Sequence, residues 1–138
     1  ILSHLVCERI ALTKPDLPEM LIPVPLHGLR MISRGFNQAY ELASYTGKVL
    51  NLPLQANPFR RKRRTRAQSG LSRKQRRQNL RGAFSWCGPR KPGRHVALID
   101  DVMTTGTTVT ECARVLKKAG AKRVDVWVAA RAIPPNRH

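Results

Sequence analysis

The sequence predicts an α/β domain with an open, mostly parallel, twisted sheet flanked by helices. Three consecutive segments near the carboxyl end carry this prediction. Residues 96–99 form an unbroken apolar run, which is typical of a central strand buried on both faces. Residues 107–119 then place apolar side chains at helical spacing up to Gly120, and residues 124–130 form a second apolar, β-branched run. A strand, a helix and a strand in this order are typical of parallel strands joined by a crossover connection.

The amino-terminal half predicts further elements of the same sheet. Residues 1–12 carry apolar side chains at helical spacing and predict a short amphipathic helix that packs against the sheet. Residues 21–24 predict a short strand that opens into a loop at Pro25. A helix is predicted for residues 37–50, and Pro53 prevents its continuation. The residues that recur at helical spacing are Ala39, Leu42, Ala43, Thr46, Val49 and Leu50.

The middle of the chain predicts short elements around a strongly basic segment. Residues 52–59 and 83–86 are expected to hold short strands. Between them, Ser72 and Gln75 have the spacing of a capping box, which predicts a basic helix over residues 73–80. A chain of 138 residues with these elements is expected to form one domain with its own core.

Composition argues against several classes of protein. No apolar run approaches the roughly 20 residues of a membrane span, and residues 1–12 lack the basic leader of a signal peptide. Cys7, Cys87 and Cys112 are odd in number and far apart, so we expect free thiols in a reducing, cytoplasmic setting rather than a disulfide framework. The histidines and cysteines do not have zinc-ligand spacing, so we expect no zinc site built from this chain.

Positive charge dominates the sequence, with 26 Lys and Arg against 8 Asp and Glu and a net charge of +18. Cations crowd residues 60–81, here called the basic tract. The tract is either a solvated loop that serves solubility or a surface for phosphate-rich partners such as single-stranded DNA. The residues predicted to contact nucleic acid are Arg60, Arg61, Lys62, Arg63, Arg64, Arg66, Arg73, Arg76 and Arg77. The flanking aromatic residues, which either pack in the core or stack on bases, are Phe59, Phe84 and Trp86.

A candidate ligand site follows the apolar run of residues 96–99. Asp100 and Asp101 stand at its carboxyl end, where parallel sheets bind ligands and where two carboxylates are costly unless they meet donors, cations or water. The next residues supply hydroxyl donors, a glycine that permits close backbone approach, and the amide-rich start of a helix. They are Thr104, Thr105, Gly106, Thr107 and Thr108. The acidic pair and this cradle together fit a sugar phosphate, with hydroxyls on the carboxylates and the phosphate on the amides.

Other interpretations of this segment explain less of it. A turn cap or a helix start would account for any one of these residues alone. A nucleotide hydrolase would need a Gly-x-x-x-x-Gly-Lys-Ser/Thr loop, and the sequence contains none. A phosphoacceptor receiver domain would spread its acidic residues over two loops and carry a lysine at a late strand end, and the sequence does not show that pattern. The order of the whole segment therefore favours a sugar phosphate.

Residues 96–108 resemble the motif with which type I phosphoribosyltransferases bind 5-phosphoribosyl 1-pyrophosphate (PRPP). Further segments narrow the resemblance to the ComF branch, which includes GntX and amidophosphoribosyltransferase-like proteins. These segments are residues 22–27, 34–39, 65–84 and 120–121. The resemblance covers most of residues 21–131 and implies the type I phosphoribosyltransferase fold. It also implies that the basic tract is the long mobile loop that closes over the leaving group in such enzymes.

The resemblance implies a role for each part of the site. Asp100 and Asp101, the catalytic pair, would bind the 2′ and 3′ hydroxyls of ribose, and residues 104–108 would bind the 5′-phosphate. Mg²⁺ would bridge the ribose and the pyrophosphate and neutralise the charge of this leaving group. For His27, exposure in a loop without a function is the alternative to a pyrophosphate contact. The residues expected on the pyrophosphate side are Leu26, His27, Arg30, Arg34, Asn37 and Gln38.

The resemblance also implies partners, because ComF proteins are associated with DNA uptake and competence. Many members carry a four-cysteine zinc module before this domain, and we expect such a segment to have preceded Ile1. The sequence identifies neither a base for an incoming nucleophile nor a purine or pyrimidine pocket. Two functions therefore stay open. One is transfer of phosphoribosyl from PRPP, or from another sugar phosphate, to an acceptor; the other is a non-catalytic module that binds single-stranded DNA and keeps the pocket as a sensor or relic.

Overall fold

The computed structural model of the chain describes residues 16–25, 38–56, 58–61, 72, 74–75, 78, 81–88, 90–103 and 106–131. The described elements, in chain order, are β1 (Met20–Pro23), α1 (Gln38–Leu50), β2 (Phe59–Arg61), β3 (Phe84–Trp86), β4 (His95–Met103), α2 (Thr107–Ala119) and β5 (Arg123–Arg131). The helix predicted for residues 1–12 lies outside the described residues. Neither α1 nor α2 has the length and apolarity needed to cross a membrane.

The central sheet consists of three parallel strands in the order β1, β4, β5. β4 pairs with β1 as far as Ile99 and with β5 as far as Met103. Beyond β1, Leu54 adds a single parallel bridge to Leu21. The predicted central position of residues 96–99 is confirmed, but the strand is longer than predicted. It continues through the acidic pair because β5 keeps supplying backbone partners after β1 has ended.

Side chains of β4 alternate between two apolar clusters, one on each face of the sheet. Val96 and Leu98 pack with the buried face of α2, whereas Ala97 and Ile99 pack with α1. All four side chains are fully buried. A strand covered on both faces needs apolar residues at consecutive positions, which explains the unbroken apolar run in the sequence.

The antiparallel pair of β2 and β3 adds to the core on the α2 side of the sheet. The ring of Phe59 meets the rings of Phe84 and Trp86 edge to face, at centroid distances of 6.4 and 6.0 Å. Phe84 is buried, and the other two rings pack against the same cluster. Of the two interpretations of these aromatics, the core is confirmed. Of the two short strands predicted around the tract, residues 83–86 hold β3. Among the described residues of 52–59, Leu54 forms a single bridge and Phe59 starts β2.

α1 covers the other face of the sheet. Its buried residues are Ala39, Leu42, Ala43, Thr46 and Gly47. The first four also belong to the set that recurs at helical spacing in the sequence, whereas Val49 of that set is 53% exposed. The chain reverses at this point, with Asn51 at a φ of 55° and the Leu52 N–H donating to the Gly47 carbonyl at 2.8 Å. A Cβ at position 47 would lie 2.9 Å from the Leu52 carbonyl oxygen, so this reversal needs glycine.

The predicted capping box is present within the basic tract. The Ser72 N–H donates to the Gln75 side-chain oxygen at 2.9 Å, and the Gln75 N–H donates to the Ser72 hydroxyl at 3.2 Å. Lys74, Gln75 and Gln78 are helical, and the remaining residues of the predicted helix lie outside the described part of the chain. The reciprocal bonds satisfy two donors that a helix start otherwise leaves without partners.

We expect the substitution Thr46→Val to stabilise the fold. Thr46 is fully buried on α1, and its hydroxyl has no hydrogen-bond partner among the described residues. Because a buried polar group without a partner costs about 1 kcal/mol or more, its removal at constant shape should raise the free energy of unfolding by about 1 kcal/mol. Chemical denaturation monitored by circular dichroism measures the difference.

The control for this prediction is Thr46→Ser, which keeps the hydroxyl and removes a methyl group. We expect this control to lower the free energy of unfolding by about 1 kcal/mol, because it opens a small cavity. A Thr46→Val protein less stable than the wild type would show that the hydroxyl contributes favourably.

Candidate functional site

Asp100 and Asp101 lie on β4, directly after its pairing with β1 ends. The last paired residue is Ile99, whose carbonyl accepts a hydrogen bond from the Val24 N–H at 2.9 Å. On the other side of β4, Asp100 is still paired with Val128 of β5. The acidic pair therefore occupies the carboxyl edge of the sheet, which is the edge where open parallel sheets bind ligands. Both side chains are half-buried.

The two carboxylates stand on opposite faces of the strand. Because side chains alternate along β4, Asp100 lies on the same face as Leu98, toward α2. Asp101 lies on the same face as Ile99, toward α1. The pKa of Cys112 on α2 supports the first placement: burial raises this pKa most, and the negative charges of Glu111 and Asp100 raise it further. The pair thus presents carboxylate oxygens to both sides of the sheet edge.

A backbone hydrogen bond holds the first carboxylate in place. The Asp101 N–H donates to Oδ1 of Asp100 at 2.9 Å. A carboxylate offers about four lone-pair directions, so this bond does not use up the capacity of Asp100 to accept hydroxyl donors. The bond restricts the rotation of the side chain, which keeps the remaining directions fixed relative to β4.

The start of α2 is suited to an anion. Gly106 precedes the helix with a φ of 76° and a ψ of 8°, and its carbonyl accepts the Thr110 N–H at 2.8 Å. In the described structure no side chain caps this end, and the first turn contains no acidic residue. The first N–H groups of a helix lack intrahelical acceptors and carry partial positive charge, so they attract phosphate. Thr107 and Thr108 lie in this turn, whereas Thr104 and Thr105 lie outside the described residues.

One buried carboxylate near the cradle was not predicted from the sequence. Glu111, on the inner face of α2, is 8% exposed. Its Oε1 accepts the Gly82 N–H at 3.0 Å, and its two oxygens accept the guanidinium of Arg114 at 2.6 and 3.1 Å. Burial raises the pKa of Glu111, but hydrogen bonds from Arg114 and Gly82 and the charges of Arg114 and Arg81 lower it by more, so the net shift is downward. Glu111 therefore joins α2 to the chain that follows the basic tract.

The signal for Glu111 was present in the sequence. A carboxylate inside an otherwise apolar helix face, with an arginine three positions later, indicates a buried ion pair. The second partner of Glu111, the backbone N–H of Gly82, could not be found from the sequence pattern. It is 29 positions away along the chain and meets Glu111 only because β3 packs on α2.

Cys112 does not offer a nucleophile to the site. Its side chain is fully buried in the core on the α2 side. Burial raises the pKa of its thiol far above the ordinary value, so the thiol stays protonated at neutral pH. Among the described residues of this edge, the groups suited to a ligand are therefore the carboxylates of the acidic pair and the backbone amides at the start of α2.

The other predicted site residues are mostly outside the described part of the chain. On the pyrophosphate side, Gln38 is exposed at the start of α1. In the basic tract, Arg60 is exposed on β2, which ends at Arg61. The predicted residues that lie outside the described part are Leu26, His27, Arg30, Arg34, Asn37, Lys62, Arg63, Arg64, Arg66, Arg73, Arg76 and Arg77.

The sequence matches a family and named relatives. The model of the phosphoribosyl transferase domain family matches residues 33–134. Competence protein F of Haemophilus influenzae is 46% identical over 118 residues, which are 84% of this chain and 52% of the relative. The DNA utilization protein YhgH of Escherichia coli K12 is 38% identical over 118 residues, 86% of this chain and 52% of the relative. The chain thus spans about half the length of these relatives.

Solved structures with a similar fold include a phosphoribosyltransferase and an amidotransferase. A purine phosphoribosyltransferase from Pyrococcus horikoshii has a TM-score of 0.56 at 17% identity, covering 97% of this chain and 76% of that one. A glutamine PRPP amidotransferase from B. subtilis has a TM-score of 0.61 at 19% identity, covering 93% of this chain and 25% of that one. At identities this low, the structural similarity shows the fold alone, namely the open, mostly parallel sheet with flanking helices.

We expect Glu111→Gln to destabilise the fold in a pH-dependent way. The folded-state pKa of Glu111 is lowered from its ordinary value of 4.5. Its contribution to stability is therefore present above about pH 4.5 and is lost as the pH falls through the lower, folded-state pKa. At pH 7 the variant should lose about 1 to 2 kcal/mol of unfolding free energy, because hydrogen bonds to a charged group become bonds to a neutral one.

Chemical denaturation at pH 7 and at about pH 3 checks this prediction. The difference between the wild type and the variant should be clearly smaller at the lower pH. Glu41→Gln is the matched control, since Glu41 is exposed on α1, and we expect it to change stability by a few tenths of a kcal/mol. A Glu111→Gln difference that stays constant with pH would show that ionisation of Glu111 is not involved.

Proposed function

This chain belongs to the phosphoribosyl transferase domain family, in its ComF branch, and we propose that it binds PRPP at the turn between β4 and α2. One observation carries the proposal: two carboxylates follow the buried part of β4, and a glycine with positive φ starts α2 a few residues later. Carboxylates accept hydroxyl donors, and a helix start attracts phosphate. The two halves of the site match the two ends of ribose 5-phosphate.

In this proposal each half of the site has its own task. Asp100 and Asp101 accept the 2′ and 3′ hydroxyls of ribose, and the Asp101 N–H holds Asp100 in position for this. The hydroxyls and amides of residues 104–108 bind the 5′-phosphate. Gln38 and the loop residues named above for the pyrophosphate side bind the leaving group. The helix dipole of α2 adds to phosphate affinity without the need for a charged side chain at this end of the helix.

Mg²⁺ fits this donor set as an ion that arrives with the substrate. The described residues contain no group of three or more His, Cys, Asp or Glu side chains that could hold a metal ion alone. Mg²⁺ is usually bound by one or two carboxylates together with substrate phosphates and water. Asp100 and Asp101 would supply the protein oxygens near it. When bound, the ion would neutralise the charge of the pyrophosphate leaving group.

The chemistry we propose is transfer of the phosphoribosyl group to an acceptor. The bond between ribose C1 and the pyrophosphate oxygen breaks, its electron pair leaves with pyrophosphate, and a lone pair of the acceptor forms the new bond to C1. Positive charge develops on the ribose ring during this exchange, and nearby carboxylates stabilise it electrostatically. The protein therefore contributes position and charge rather than a covalent intermediate.

The free cysteines of the described chain favour a reducing compartment, and we propose that the protein acts in the cytoplasm.

We expect the double substitution Asp100→Asn and Asp101→Asn to abolish PRPP binding. The amide side chains keep the size of the carboxylates but lose the charge that strengthens hydrogen bonds to hydroxyls and neutralises Mg²⁺. Isothermal calorimetry with PRPP and Mg²⁺ should show a loss of about 100-fold or more in affinity, since each charged hydrogen bond contributes about 1.5 to 3 kcal/mol. Asp16→Asn is the matched control, because Asp16 is exposed at the opposite edge of the sheet, and its affinity should equal that of the wild type.

Release of pyrophosphate from PRPP separates binding from turnover. The wild type, incubated with Mg²⁺ and a panel of nitrogen and oxygen acceptors, should release pyrophosphate with at least one of them. The double variant should release none. PRPP binding without pyrophosphate release on any acceptor would support a non-catalytic pocket kept as a sensor or relic. Absence of both PRPP binding and pyrophosphate release would overturn the proposal.

The second candidate function is binding of single-stranded DNA. The excess of cations in the basic tract favours it, and the relatives are named as competence and DNA utilization proteins. Under this candidate the tract neutralises several phosphates, the PRPP pocket acts as a sensor or relic, and competence or DNA-uptake proteins are partners. It does not require turnover of PRPP.

We expect neutralisation of the tract to weaken the salt dependence of DNA binding. The variant replaces Arg60, Arg61, Lys62, Arg63, Arg64 and Arg66 with glutamine. Each phosphate contact contributes about 0.7 to the slope of log affinity against log salt for a single strand, so losing six contacts should reduce the slope by about 4. Fluorescence anisotropy with an oligothymidylate at several salt concentrations measures this slope. Binding that is absent in the wild type, or insensitive to salt, would remove this candidate.

A further inference from the structure

A second group of cations lies at the amino edge of the sheet, on the side of α2. Because α2 runs back from the carboxyl edge, its last turn lies where β4 and β5 begin. The six cations of this region, here called the basic end, are exposed. They are Arg90, Lys91, Arg94, Lys117, Lys118 and Lys122. The sequence pattern did not single them out, because they come from three separate segments.

Backbone contacts bring these three segments together. The N–H groups of Lys122 and Arg123 both donate to the Arg94 carbonyl at 2.8 Å, which ties the turn before β5 to the start of β4. The Lys91 side chain passes Gly120, since a Cβ there would lie 3.8 Å from its Cδ. Gly120 in turn donates its N–H to the Lys117 carbonyl at 3.2 Å. The cations therefore form one surface in the folded chain.

Three described carboxylates lie near this surface. Asp125 lies 2.7 Å from the His95 ring and 3.0 Å from Arg123, and Asp16 lies 3.6 Å from Arg123. Glu19 lies against Gly93. In the part of the chain that the structure describes, Arg123 is the one Lys or Arg of this edge within salt-bridge distance of a carboxylate. The six cations of the basic end therefore carry an excess of positive charge.

Stabilisation of the carboxyl end of α2 explains only some of the cations of the basic end. Lys117 and Lys118 lie in the last turn of α2, where cations interact favourably with the carbonyl end of the helix. The other four cations precede β4 or β5 and do not belong to α2. Like charges on one surface repel each other unless they are solvated or meet an anion. An extended polyanion is the ligand that such a surface fits.

We propose that the basic end binds the phosphate backbone of a nucleic-acid strand, independently of the PRPP site and of the basic tract. A strand presents phosphates at regular, close intervals, so cations from three segments can meet several of them at once. An acidic membrane surface fits less well, because surface-binding helices insert an apolar face. The apolar face of α2 is already buried in the core and cannot insert into a membrane. It consists of Val109, Cys112, Val115 and Leu116.

The contacts at the basic end are to phosphates rather than bases. One described aromatic side chain contacts this region: the indole N–H of Trp86 donates to the Arg90 carbonyl at 2.9 Å. The ring also packs edge to face with Phe59 and lies over Gly88. Base stacking is therefore not part of this surface, and binding should not depend on base sequence.

The basic end and the PRPP site lie at opposite edges of the sheet. Along β4, five residue steps of about 3.3 Å separate His95 from Asp100 by roughly 17 Å. Along α2, ten residue steps of about 1.5 Å separate Thr107 from Lys117 by roughly 15 Å. Both separations are about twice the Debye length of about 8 Å at physiological ionic strength. A nucleotide strand at the basic end should therefore leave PRPP binding unchanged, and PRPP should not displace the strand.

Lysine footprinting of the full chain tests the proposal. Acetylation rates of Lys91, Lys117, Lys118 and Lys122 are measured by mass spectrometry with and without an oligothymidylate. We expect the strand to slow these four rates by about threefold or more at low salt, because phosphate contacts cover the amines. Lys48 is the internal control, since it is exposed on α1 across the sheet, and its rate should not change. Added PRPP and Mg²⁺ should leave the protection intact.

A charge-matched pair of variants separates this surface from the basic tract. One variant carries K91Q, R94Q, K117Q, K118Q and K122Q, and the other carries R60Q, R61Q, K62Q, R63Q and R64Q. The first should lower the slope of log affinity against log salt by about 3 to 4 whatever the base sequence, and the second should keep the footprint at the basic end. Thermal unfolding confirms that the first variant is folded.

Three outcomes would overturn the proposal. One is unchanged acetylation of the four lysines while the strand is bound elsewhere. Another is a wild-type salt slope in the first variant. The third is protection by phosphatidylserine vesicles but not by the oligonucleotide, which would assign the surface to a membrane. None of these outcomes depends on PRPP binding, so failure here leaves the phosphoribosyl proposal to its own test.

Discussion

Burial of β4 on both faces is the constraint on which the rest of the structure depends. Four consecutive apolar side chains of this strand are fully buried, two against α1 and two against α2, and β1 and β5 fix its backbone on either side. The acidic pair continues the same strand and stays paired with β5. Its position is therefore set by the core, and a half-buried carboxylate pair held in this way is a preorganised acceptor for hydroxyl donors.

The sequence predicted the central elements because each follows from a local rule. An unbroken apolar run implies a strand covered on both faces, and Ser72 with Gln75 implies a reciprocal cap. Features that depend on distant contacts could not be predicted in this way. The length of β4 is set by β5, and the role of Glu111 by a glycine N–H that lies 29 positions away. Helical spacing alone also did not show that Val49 is exposed, since the chain reverses nearby at Asn51.

The two edges of the sheet differ in their chemistry, although both attract anions. At the carboxyl edge, oxygen acceptors and the uncharged start of α2 favour a small ligand with hydroxyls at one end and a phosphate at the other. At the amino edge, six exposed side-chain cations favour a long, repetitive polyanion. α2 connects the two, since its first turn forms the cradle and its last turn carries two of the cations. Separate sites of this kind would let one domain respond to a sugar phosphate and hold a nucleic-acid strand at the same time.

The central claim is that the turn from β4 to α2 holds a ribose ring and its phosphate. The most direct measurement is the change in backbone amide chemical shifts when ribose 5-phosphate is added to ¹⁵N-labelled protein. We expect the largest changes at Gly106, Thr107 and Thr108, followed by Asp101. Inorganic phosphate alone should shift the first three amides but not that of Asp101. Saturating changes confined to the amino edge, around Lys122 and Arg123, or no change at all, would contradict the central claim.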